Sequence, residues 1–245
     1  MATFTQTDDL QGAEFTDVSL RGARFVRCDL SGVVLRGAEV SGADIDAPWL
    51  LSGDNVLLVN GVNVAPFVDA ELNRRFPGRE LRRAEDPTTL RTAWAALERA
   101  WSGVIEQTPA ETVDISVDGE WSFAQTLRHL IMATDVWLGR AVLGIEQPFH
   151  PVGQPNVEYE SDGGDPSVFA TTKPSYDEVL VVRAEHVTQV RDYLAAVTAD
   201  ELEAARPNPW SPQYSETVQS CLHTILEEEW EHLRYATRDL ATLSA

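Results

Sequence analysis

The sequence carries almost no lysine and few positive charges of any kind. Lys173 is its only lysine, and 19 basic side chains stand against 39 acidic ones, for a net charge of -20. Such a balance repels a phosphate backbone and an anionic lipid surface alike, so neither nucleic acid nor a membrane is expected as a partner. Arginine without lysine is also the bias of GC-rich bacterial coding. Long hydrophobic runs are missing too. The longest uncharged stretch, residues 55–68, is interrupted by Asn60, Gly61 and Pro66 and is too short to cross a bilayer. Residues 1–9 have neither a basic start nor an apolar run, so no export signal is expected and a cytoplasmic location is. Cysteine is scarce: Cys28 and Cys221 lie far apart and offer no framework of bridges, which suits free thiols in a reducing compartment. What is present is ordinary globular material. With 245 residues, 43% hydrophobic and 24% charged, the chain can build one large or two modest domains.

A short period dominates the N-terminus. Leu10, Phe15, Leu20, Phe25, Leu30, Leu35, Val40 and Ile45 recur every five residues, and a small residue such as Ala13, Ala23 or Ala43 precedes most of them by two. A period of five fits neither helix nor strand. The pattern resembles the pentapeptide-repeat family over residues 6–45, which implies a short right-handed, four-sided β-helix with the apolar centres turned inward. Two coils would leave an open end that needs a cap. The run Val56–Val59, Asn60-Gly61, Val62–Val64 reads as a hairpin suited to that task. Residues 1–60 are therefore expected to form the repeat stub with its capping hairpin. Residues 61–85 form a connector helix opened by Pro66 and stopped at Pro77-Gly78.

From Asp86 the period becomes helical. Asp86 and Pro87 open a helix over about 87–106, with Leu90, Trp94, Leu97, Trp101 and Val104 on one face. Ser122 with Gln125 and Ser175 with Glu178 make capping boxes that open helices over about 122–143 and 175–197. A fourth helix is expected over 215–242. Residues 86–245 are thus read as a four-helix bundle, and the long segment 144–174 as a crossover or a loop that shapes a pocket.

Two of the five histidines fall where bundle metal sites are built. Glu228 precedes His232 by four residues on the fourth helix, so their side chains project within about 40° of one another. His129 on the second helix can complete a three-ligand set with an open position for water or substrate. Glu229 is a rival carboxylate, because it sits nearer the centre of the apolar stripe, where a glutamate needs a partner or a metal. His223 falls on the opposite side of its helix and cannot join. His150 lies in the long loop, and His186 near the valine face of the third helix suits a core or supporting role. Trp230, Arg234 and Arg238 read as packing and salt-bridge residues, and Cys221 is too far along the helix to coordinate.

The segments Trp121-Ser-Phe-Ala-Gln-Thr-Leu-Arg-His129 and Glu228-Glu-Trp-Glu-His232-Leu-Arg-Tyr235 resemble the second and fourth helices of the DinB/YfiT-like metalloenzymes. That resemblance covers residues 86–242 and implies an up-down-down-up bundle holding one divalent ion between helices two and four. The family's usual ligands are three histidines. Here the matching positions are His129, Glu228 and His232, as in the mycothiol-dependent maleylpyruvate isomerase branch, which also uses Glu. The ion is expected to be zinc, with nickel, manganese or iron chemically admissible. The resemblance further implies a thiol S-transferase or thiol-dependent isomerase. It would join a small electrophile to a low-molecular-weight thiol such as mycothiol, with His129, Glu228 and His232 acting through the metal; a homodimer through the helical bundle is a separate expectation. Two alternatives are a hydrolase that uses bound water and a non-catalytic interaction protein that docks through the repeats.

Overall fold

The computed structural model describes residues 3–5 and 8–244. Gln6 and Thr7, at the start of the repeats, and the extreme ends of the 1–60 and 86–245 spans lie outside the described residues. The chain divides into two compact units, Met1–Asp46 and Ala47–Ala245.

In the first unit the backbone keeps the five-residue period. Gly12, Asp17, Gly22, Arg27, Gly32, Gly37 and Gly42 all take positive φ, one bend per repeat. Every second bend closes a local bond, from Ala13 N to Leu10 O, Ala23 N to Leu20 O, Val33 N to Leu30 O and Ala43 N to Val40 O. The expected β-helix is not what the structure shows. No strand forms among the described residues of this unit, and the centres meant to turn inward stay in solvent, Leu10 44% and Phe15 57% exposed. The reason is physical: bonds that close alternate bends locally supply no ladder from one coil to the next, and without that ladder the apolar centres stay in solvent.

In the second unit a 3-10 turn at Pro48–Leu51 precedes a hairpin of β1 (Leu58–Val59) and β2 (Val62–Asn63), Val59 pairing Val62. Asn60 and Gly61, both at positive φ, form the two-residue turn. Helix α1 (Ala65–Arg75) carries Pro66 in its first turn. The segment after it packs into the bundle. At Gly78, a Cβ would lie 2.5 Å from that of Ala96, and the buried Arg79 donates to Asp69 at 2.8 Å and Asn73 at 2.7 Å. The connector segment thus belongs to the second unit.

Helix α2 (Pro87–Gln107) starts where Asp86 accepts from the N–H groups of Thr88 and Thr89, and it buries Leu90, Trp94, Leu97 and Trp101. Helix α3 (Phe123–Thr134) starts at a reciprocal Ser122–Gln125 box. It does not run on unchanged to residue 143: from Asp135 to Val142 the winding loosens to π, as in the bond from Leu143 N to Leu138 O. Helix α4 (Tyr176–Ala196) is capped by Ser175. A single turn, α5 (Ala199–Leu202), leads to a second hairpin of β3 (Ala205–Pro207) and β4 (Ser215–Thr217). Residues 215–217, expected to open the last helix, are therefore strand. Helix α6 (Val218–Leu243) begins one residue later, with Thr217 and Ser220 exchanging cap bonds. Both α2 and α3 pack against α4 and α6, closing a four-helix bundle around Leu97, Leu127, Leu130, Ile131, Ile225 and Leu233. The long α3–α4 connection builds a smaller core of its own, where Tyr159 and Phe169 meet Met132 of α3 and Val136 of the π stretch. Among the described residues no helix is long and apolar enough to cross a membrane.

Candidate metal centre

Helices α3 and α6 bring His129, Glu228 and His232 together. One donor atom from each residue can be chosen so that all three lie within 4.8 Å of one another. The His129 and His232 ring centres are 4.7 Å apart, and His129 Nε2 lies 3.5 Å from Glu228 Oε2. A tetrahedral zinc ion with bonds of about 2.0–2.1 Å would set its ligands about 3.3 Å apart, so the cluster is near the size an ion requires.

Hydrogen bonds decide which ring nitrogens carry a proton. A main-chain carbonyl can only accept, so His129 Nδ1 must donate to Gln154 O at 3.2 Å and His232 Nδ1 to Glu228 O at 2.8 Å. In its neutral form each imidazole then carries its lone pair on Nε2. This is the usual outer support of a ligating histidine, with the remote N–H fixed by a carbonyl. Burial pushes His232 down to about 4, the neighbouring His129 adding to the effect, and the ring stays neutral. Burial alone would raise Glu228, but the adjacent His129 and His232 side chains outweigh it and hold the carboxyl below its ordinary range. Two imidazole nitrogens and one carboxylate suit a divalent ion, and the Glu228 side chain remains 34% accessible, which leaves the site open on one edge.

Aromatic rings wall the site. Trp121, just before the Ser122 cap, lies 4.6 Å from the His129 ring and stacks on His232 at 6.2 Å. Tyr235 meets the edge of His232 and lies under the guanidinium of Arg234 at 4.4 Å. The motif contained Trp121, yet nothing in the helical period reveals that it covers the imidazoles. A cleft of about 340 Å³ is lined by Gln154 together with Arg128, Pro155, Phe169 and Lys173 among others.

The rival residues are occupied elsewhere. Glu229, buried in the bundle, takes a guanidinium nitrogen of Arg183 between its two oxygens. Arg183 was not singled out from the sequence; the signal was Glu229 itself, a carboxylate on an apolar stripe that had to find a cation. His223 bonds Ala84 O away from the site. His186 is buried, with Nδ1 on Val182 O and Nε2 2.8 Å from Asp135, and it touches none of the three clustered residues. His150 accepts from Val152 N within the loop. Trp230 is core, Arg234 pairs with Glu231 and Arg238 with Glu120 and Asp239, and Cys221 is a buried free thiol that burial raises to about 11.

A helical bundle in which two histidines and a glutamate converge between two helices offers a donor set that could hold a metal ion. Residues 66–236, more than half of the chain, match the DinB superfamily, and residues 9–46 match eight copies of the pentapeptide repeat. The chain belongs to the DinB superfamily, whose members are generally metal-binding, and carries pentapeptide repeats ahead of that domain. No curated protein and no solved structure gives a match.

Proposed function

We propose that the chain is a metal-dependent enzyme that uses a low-molecular-weight thiol, such as mycothiol, as an S-transferase or thiol-dependent isomerase on a small electrophile. The observation that carries this reading is the convergence of two imidazoles and one carboxylate within 4.8 Å on a partly open edge, with the Nδ1 of each ring bonded to a main-chain carbonyl. His129, Glu228 and His232 would hold one divalent ion, zinc first and nickel, manganese or iron by the same donor chemistry. When bound, such an ion supplies the positive charge that keeps a thiol ionised at neutral pH. One carboxylate among three ligands leaves a single positive charge uncompensated, which favours an anionic sulfur over a neutral ligand. Trp121 shields the imidazoles on one face. The cleft beside Gln154, with Phe169 and Pro155 for an apolar body and Arg128 and Lys173 for a negative end, offers room for the electrophile.

The test starts with metal analysis of the full chain purified without a histidine tag. About one ion per chain is expected, followed by accelerated consumption of mycothiol by a haloaromatic or an activated alkene. Turnover of esters without any thiol, unaffected by added thiol, would move the assignment to a hydrolase. Full metal occupancy with silence in both assays would leave a binding protein.

A further inference from the structure

We infer that Arg128 is a positioning residue for the metal centre: its guanidinium clasps the strap at 150–154 and holds the Gln154 carbonyl where it fixes the His129 tautomer. The inference rests on the proposed metal site, but the contacts that motivate it belong to the chain alone.

Arg128 and His129 are neighbours on α3, and they meet three successive carbonyls of one loop. Arg128 Nε donates to Val152 O at 2.8 Å and Nη2 to Gly153 O at 3.2 Å, while His129 Nδ1 donates to Gln154 O at 3.2 Å. The helix answers in the other direction, Arg128 O accepting from Gln154 N at 3.0 Å. The far end of the strap is tied as well. His150 N donates to Asp135 Oδ2 at 2.8 Å, and Gly153 N to His150 O at 2.9 Å. Packing leaves no slack at Gly153, where a Cβ would lie 2.9 Å from the Phe169 ring and 3.1 Å from His150 O.

The chemistry gives this clasp a consequence. A neutral imidazole without a partner prefers its proton on Nε2, the atom that must be bare to bind an ion. The Gln154 carbonyl reverses that preference, because it accepts only from an Nδ1–H. His232 needs no such help, since its Nδ1–H finds the carbonyl of its own helix at Glu228. His129 depends on a loop, and a loop keeps its carbonyl in place only if something holds it. Arg128 meets that need with a planar fork that reaches two carbonyls at once, which a lysine cannot copy. A partly buried guanidinium is costly, and burial indeed draws Arg128 below its ordinary range; the two carbonyl bonds offset that cost.

The experiment uses the metal-free full chain, labelled with nitrogen-15, at about pH 8, where a free imidazole is neutral. Two-bond proton–nitrogen correlation spectra report the tautomer of each histidine. In the unsubstituted chain His129 should carry its proton on Nδ1. In Arg128→Met it should shift toward the Nε2–H form while His232 keeps its own signature. Arg128→Lys should fall between the two. Gly153→Ala, which moves the strap and removes no charge, should shift His129 in the same direction. Zinc affinity by chelator competition should fall about tenfold in Arg128→Met, the usual loss when an outer support is removed. His129 retained as Nδ1–H in both Arg128→Met and Gly153→Ala would overturn the inference. So would a change in Arg128→Met that appears only with altered His232 signals and lost helicity, which would make Arg128 merely structural. If the unsubstituted chain bound no zinc, the metal reading would fall, and the tautomer comparison would still decide the role of Arg128.

Discussion

Replacing Arg183 by methionine tests the division of labour between two adjacent glutamates. Arg183 and Glu229 are both nearly inaccessible, 4% and 1% exposed, and the guanidinium nitrogen sits between the two carboxylate oxygens. Burial already raises the Glu229 carboxyl above its usual range, and Arg183 is the chief influence that pulls it back. Without that cation the carboxylate must stay charged and unpaired in the core or take a proton. Breaking a buried pair from one side costs about 3–5 kcal/mol, a large part of the roughly 5–15 kcal/mol that holds a domain folded. With a slope of about 2 kcal/mol per molar urea, the unfolding midpoint of the metal-free protein should drop by about 2 M. The double variant Arg183→Met with Glu229→Leu, which leaves no orphaned charge, should recover most of the loss. Urea unfolding followed by far-UV circular dichroism measures both. A single variant that loses less than about 1 kcal/mol, or a double variant no better than the single, would refute the idea that the pair matters through its mutual dependence. Zinc affinity supplies the contrast. Glu228→Gln should weaken zinc binding and spare stability, and Glu229→Gln should do the reverse.

Two further outcomes are expected. His129→Ala and His232→Ala should each lower zinc affinity by at least tenfold in chelator competition, whereas His223→Ala, whose ring serves Ala84 O, should change it by less than twofold. In the metal-free protein, stability should fall on acidification: folded His232 takes its proton only near pH 4, while the unfolded chain takes it near about 6.5. Between those values the unfolded chain binds more protons, so the contribution is complete above about pH 6.5 and shrinks toward pH 4, by roughly 3 kcal/mol at most. Glu228, held below its ordinary range, acts in the same direction at lower pH. Urea midpoints from pH 7 to pH 4 should show the decline, and His232→Ala should flatten its upper part.

How far the sequence could be read depended on how local each cause was. Caps are local. Asp86, Ser122 and Ser175 each accept the N–H bonds their spacing implies, and α2, α3 and α4 start within a residue of where those side chains place them. The i, i+4 geometry of Glu228 and His232 is local too, and it is enough to put them at one point with His129 once α3 and α6 pack together. The choice between Glu228 and Glu229 was not local. It was decided by Arg183 on another helix, 46 residues away, and no helical wheel contains that residue. The start of α6 was misplaced because Ser215–Thr217 pairs with Ala205–Pro207, strands too short to show alternation, and because Ser220 stands where a cap box usually has Glu or Gln. The five-residue period of the repeats is real in the backbone, but whether bends join into coils depends on contacts between repeats that a period does not encode.

The π winding from Asp135 to Val142 acts as a phase adjuster within one continuous rod. Each turn of π takes up more chain than a turn of α, so side chains after Thr134 point in directions that an unbroken α-helix would have given to other positions. The half of the rod that carries His129 can therefore keep its face on α6, while the half that carries Val136 and Leu138 is aimed independently at the α3–α4 connection and the bundle. Removing one residue from the π stretch would let the rod relax to α without disturbing His129. Removing one from Phe123–Thr134 would swing the imidazole about 100° off its partners.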